Sequence, residues 1–133
     1  MNQVKKKDAL KWSNLFFLVP FIVAIHYSIY WYAVVLMALF IVSLDFHFFS
    51  EAREVYYLDV IFSSLLMLSN FVLLFMGHWT LPFSVTAIAL ALVALGFYFQ
   101  RSRRDYYFNH SLWHIFSAAV CLFCFITYLS FIS

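Results

Sequence analysis

Between Asn14 and Ser50 the chain is apolar almost without interruption. Drawn as one helix at 1.5 Å per residue, this stretch would be about 55 Å long, against a hydrocarbon core of roughly 30 Å. It has to fold back once. The place for the reversal is His26 to Trp31, where His26, Tyr27, Ser28, Tyr30 and Trp31 make an amphipathic aromatic run suited to a membrane–water interface.

The remaining punctuation is sparse. Ser50-Glu51-Ala52-Arg53-Glu54 is a short charged loop, and Gly77-His78-Trp79-Thr80 is a polar, aromatic turn. Pro82 stands where a proline favours the first turn of a helix. Gln100 to Asn109, with Arg101, Arg103, Arg104 and Asp105, is the most polar stretch after the N-terminus. The predicted spans are therefore near 14–28, 30–49, 56–76, 82–99 and 108–132.

Composition excludes the competing classes. Of 133 residues, 66% are hydrophobic and only 11% charged, whereas soluble domains carry about 25% charge. Two glycines and two prolines are too few for the turns of a membrane barrel. A net charge of +2, with no basic helix face and no Gly-rich loop, gives no footprint for nucleic acid. The expected fold is all-α: residues 1–133 form a single integral membrane domain, a polytopic bundle of about five transmembrane helices.

Charge placement sets the orientation. Lys5, Lys6, Lys7 and Lys11 precede the first span, Arg53 follows the second, and Arg101, Arg103 and Arg104 follow the fourth; these are all eight basic residues. With five spans they share one side, so the positive-inside rule puts the N-terminus in the cytoplasm and the C-terminus outside. The lysine-rich start resembles a signal peptide, but no small-x-small cleavage site follows, and a retained first span is expected.

Ionisable side chains are expensive inside a membrane and mark function by default. Ser43 and His47 share a face of the second span at i, i+4, Asp59 lies early in the third, and His110 and His114 share a face at i, i+4 early in the fifth. On the five-span topology all five fall within roughly 10 Å of one another in depth, near the cytoplasmic face. Three imidazoles with an open fourth position are a catalytic zinc arrangement, which lowers the pKa of bound water to about 7. Asp59 is then the expected general base, later returning the proton to a leaving group. Ser43 would hydrogen-bond the water or the developing oxyanion. Asn109, Ser111 and Tyr57 are candidates, by position only, to orient the imidazoles.

Other polar residues have plainer readings. His26 and His78 fall on the outer side as interfacial residues. Asp45 lies roughly 200° round the helix from His47 and is expected to snorkel or to pair with Arg53. Ser63 and Ser64 bond backbone carbonyls or neighbouring helices, although Ser63, four residues after Asp59, could support it. Cys121 and Cys124, a CxxC inside an apolar run, read as small packing residues.

Three fragments together resemble the CREST superfamily of membrane hydrolases, which includes alkaline ceramidases and progestin/adiponectin-type receptors. They are Ser43-x-x-Phe46-His47, Leu58-Asp59-x-x-Phe62-Ser63 and His110-Ser111-Leu112-Trp113-His114. The resemblance implies that His47, His110 and His114 bind Zn2+, with Asp59 and Ser43 at the zinc-bound water. Family members typically have seven spans. Five would mean a shortened form lacking a helix pair between Asp59 and the HxxxH, with a chamber more open to lipid or completed by a second copy in a homo-oligomer.

The resulting expectation is a zinc-dependent intramembrane lipid hydrolase, ceramidase-like, cleaving an amide in a membrane lipid. A lipid ester such as a phospholipid acyl chain is an equally lawful substrate. The alternatives from other classes are a receptor-like or structural membrane protein with a structural zinc, and a metal carrier.

Overall fold

Pro20 shapes the first span. It has no N–H to give to the carbonyl of Phe16, and its ring crowds that carbonyl. A single 3-10 turn, Asn14–Phe17, accordingly interrupts the run between helix α1 (Gln3–Ser13) and helix α2 (Leu18–His26). The computed structural model describes residues 3–49, 53–100 and 105–132, and among them every regular element is helical. The segment apolar enough to cross a membrane is Asp8–His26, so Ser13 and Asn14 lie inside the bundle and not at the edge of a span beginning at 14.

The expected reversal follows. α2 stops at His26 and α3 runs Tyr30–Phe48. Ser28 takes a left-handed φ of 59°. Its N–H bonds the Ile25 carbonyl at 3.0 Å and that of Ile29 bonds Ala24 at 2.9 Å, which satisfies the open carbonyls of the helix end. α4 (Arg53–Met76) closes in the same way. There His78, at φ 48°, bonds Phe75, and Trp79 bonds Leu74. Gly77 is not the left-handed residue. It is there because α4 touches α6 (Tyr106–Ile132) at this point: a Cβ would stand 2.8 Å from the Thr127 carbonyl group.

α6 is the axis of the bundle. α1, α2, α4 and α5 (Phe83–Phe99) all pack on it, while α3 packs on α2 and α4. Among the described residues α5 packs chiefly on α6, leaving a gap toward α4. Four segments, Asp8–His26, Tyr30–Phe48, Arg53–Met76 and Tyr106–Ile132, are long and apolar enough to cross a membrane. α5 is apolar but has 17 residues, about 26 Å of helix, the lower limit for a span. Four of the five expected spans are matched by helices long and apolar enough to cross, and the one expected near 82–99 is a shorter apolar helix. Ser50, Glu51 and Ala52, and Arg101, Arg103 and Arg104, on which the expected orientation partly rests, lie outside the described residues.

The interior is built from small side chains. Ala24, Ala33, Ala87, Ala94 and Ala118 are buried, while Phe49, Phe75 and Phe99 face outward. In lipid there is no hydrophobic gain from hiding a phenylalanine, so close backbone approach through small residues selects the interface. The largest buried side chains, Tyr32 and Phe125, pack ring against ring.

Candidate metal centre

His47 sits in the last turn of α3, and His110 and His114 lie one turn apart on α6. The bundle brings the three together: one ring nitrogen from each lies within 4.8 Å of the others. Ring centroids are 5.1 Å apart for His47–His110, 5.3 Å for His47–His114 and 4.7 Å for His110–His114. The Nε2 of His47 is buried without a hydrogen-bond partner, a costly state for a polar atom in an apolar bundle. A cation among the three nitrogens would remove that cost. Tetrahedral ligands at 2.0–2.1 Å from one zinc stand ~3.4 Å apart, so the rings would close by roughly an ångström, within reach of side-chain torsions. The donor set fits zinc. His26 and His78 take no part. His26 packs on Tyr27, and His78 stacks on Phe131 at 4.2 Å, at the other end of α6.

Asp59, in the second turn of α4, is buried, and its Oδ1 has no hydrogen-bond partner. Ser43, one turn before His47 on α3, places its hydroxyl within hydrogen-bonding reach of the Asp59 carboxylate. The same hydroxyl is 3.0 Å from the Oδ1 of Asn14. A hydroxyl has one proton to give. If it goes to the carboxylate, turning over the Asn14 amide lets its NH2, otherwise unpartnered, donate to Ser43. The donors then run one way, from Asn14 through Ser43 to Asp59.

The expected orienting residues are engaged elsewhere. Asn109 donates to the Gln100 carbonyl at 2.7 Å and Ser111 to Tyr107 at 2.6 Å, the usual return of a mid-helix serine to its i−4 carbonyl. The Tyr57 hydroxyl receives Arg53 Nε at 3.0 Å, so Arg53 turns along its own helix rather than across to Asp45. Ser64 bonds the Val60 carbonyl at 2.8 Å. His114 is met instead from the first helix: Ser13 Oγ lies 3.0 Å from its Nδ1. Sequence reasoning passed over Ser13 and Asn14. A signal was present, since both sit on the buried stripe Leu10, Ser13, Asn14, Phe17, Ala24, the spacing of an inward helix face.

Beside the histidines, the gap between α4 and α5 holds a cavity of about 310 Å³, floored by α6. Asp59, Ser63, His110, Tyr98 and Trp113 line it. A smaller cavity of about 90 Å³ continues toward the middle of the bundle and is lined by Leu66, Asn70, Ala91 and Ala94. The two share Ser63, Met67, Leu95 and Trp113 as walls. Together they form a groove with polar, ionisable groups at one end and apolar walls beyond, in the size range of small-ligand sites. Comparison with known protein families, curated proteins and solved structures finds no match to this chain.

Proposed function

We propose that the protein is a zinc-dependent lipid hydrolase of the membrane, of the CREST kind, that cleaves the amide of a ceramide-like lipid. In this reading the chain crosses the bilayer five times, with its N-terminus in the cytoplasm and the site near the cytoplasmic face. The observation that carries it is the wall shared by Asp59 and His110: a buried carboxylate and one of three clustered imidazoles face the same cavity of about 310 Å³.

His47, His110 and His114 would hold the ion. A zinc ion held there would supply Lewis acidity at the scissile bond. Asp59, its Oδ1 without a hydrogen-bond partner, would take a proton from the attacking water and return it to the leaving amine, so that amide and water become acid and amine. Ser43 holds the carboxylate from behind and is itself held by Asn14. Trp113, Phe46 and Tyr56 make the rest of the chamber apolar and aromatic, which keeps bulk water from the scissile bond. The apolar extension beyond Trp113 suits a hydrocarbon tail.

The test is metal content and fatty-acid release on the detergent-purified chain, with N-acyl and O-acyl lipids offered separately. The reading predicts about one zinc per chain, lost in His114→Ala, and release from the N-acyl lipid. Asp59→Asn should keep the zinc and lose about 10²–10⁴-fold in rate. Release from the O-acyl lipid alone would assign the same machinery to an ester. Zinc with no hydrolysis of either would leave a structural metal tying α3 to α6, and activity indifferent to Asp59→Asn would overturn the role given to Asp59.

A further inference from the structure

The contact between Ser13 and His114 fixes more than a distance. Ser13 Oγ lies 2.7 Å from the Leu10 carbonyl oxygen and 3.0 Å from His114 Nδ1. A carbonyl can only accept, and a serine hydroxyl carries one proton. The shorter contact takes that proton. Toward His114 the Ser13 oxygen has only lone pairs left, so the hydrogen between them belongs to Nδ1. Ser13 and His114 are both buried, at 2% and 3% exposure, so water does not compete. Phe17 packs against the imidazole at a centroid distance of 6.0 Å and an interplanar angle of 62°. With hydrogen on Nδ1, a neutral His114 has its lone pair on Nε2.

We infer that Ser13 is a positioning residue of the metal centre: it relays the Leu10 carbonyl to His114 and holds that imidazole as its Nδ1–H tautomer, with Nε2 as the ligand atom. The first helix, α1, is thereby part of the site, joined to a ligand 101 residues away. The role of Nε2 rests on the reading that the three histidines bind a metal; the tautomer does not. Docking of α1 and metal binding are then coupled. Any change that lifts α1 from α6 releases the ring, and an ion at the centre holds α1 down.

Zinc affinity should be measured by chelator competition on detergent-purified wild type, Ser13→Ala and Ser13→Thr. Loss of such an outer hydrogen bond typically weakens metal binding about 10–100-fold. Ser13→Ala should show that loss, and Ser13→Thr, which keeps the hydroxyl, should stay within a few-fold of wild type. Equal affinity for Ser13→Ala, or an equal loss in both variants, would overturn the inference. Nitrogen-15 shifts of His114 in the metal-free wild-type chain give an independent answer that needs no variant: Nδ1–H supports the inference and Nε2–H overturns it. Wild type that takes up no zinc but shows the Nδ1–H form would reject the metal reading while the clamp stands.

Discussion

Asn14 and Ser43 meet at 3.0 Å with both side chains buried, and this contact ties the 3-10 turn of the first span to α3 directly behind Asp59. A side-chain hydrogen bond between membrane helices is worth ~0.6 kcal/mol on average and up to ~1.7. Asn14→Ala should therefore cost about that much in a denaturation midpoint. It should also slow lipid hydrolysis by about tenfold, as loss of an orienting partner does, with zinc content unchanged. An unchanged rate would show that Asp59 is held without Ser43 being held.

Trp113 lines both the larger cavity and its apolar extension and packs on Tyr98 at 5.0 Å. Trp113→Ala should merge the two spaces and move the preference among a series of N-acyl lipids toward longer chains. Fatty-acid release across chain lengths reads this directly. A uniform loss with no change in preference would mean that the groove does not seat the hydrocarbon tail.

The two glycines predict opposite outcomes. At Gly77 a Cβ would stand 2.8 Å from backbone atoms of Thr127 and Tyr128, which cannot retreat without moving α6. Gly77→Ala should destabilise by about 1–3 kcal/mol, the usual cost of overpacking. At Gly96, within α5, a Cβ would meet nothing within 4 Å. There alanine relieves the glycine cost of up to ~1 kcal/mol in a helix interior, and thermal unfolding in detergent should shift upward.

Tyr32 on α3 donates its hydroxyl to Asn70 Oδ1 on α4, and Asn70 Nδ2 lies 3.6 Å from Cys121 Sγ on α6. This is a second buried polar junction, away from the histidines. Tyr32→Phe leaves the amide oxygen unpaired and should cost about 1–3 kcal/mol. Adding Asn70→Leu removes the orphaned group, and the double variant should recover part of the loss. Zinc content per folded molecule should be unaffected throughout.

Much of this was legible in the sequence because hydrophobic length and helical spacing are local properties. The uninterrupted run from Asn14 to Ser50 required a reversal at His26–Trp31, and the structure turns there with Ser28 in the left-handed region. The i, i+4 spacing of His110 and His114 put both on one face, and their depth matched that of His47, which the bundle brings to them. Depth and face do not determine which neighbour a side chain meets. That depends on how each helix is rotated about its own axis, which only packing settles. Asn109, Ser111 and Tyr57 were placed near the site by depth but spend their hydrogen bonds on the backbone or on Arg53. Ser13 and Asn14 lie inside the bundle. A span that starts at Asn14 makes both residues its polar edge, whereas the apolar helical segment runs Asp8–His26 and carries them a turn and more inside it.

The sequence by itself therefore determined the solvent, the helical class, the place of the first reversal and the end of the bundle where polar groups collect, since each follows from length, charge and period along one segment. Tertiary structure alone decided that the first helix reaches the last histidine, that Ser43 stands between Asn14 and Asp59, and that α5 leans on α6 and leaves a chamber against α4. Those are relations between segments far apart in the chain, set by close contact at small residues and by the few polar groups that must find one another once water is excluded.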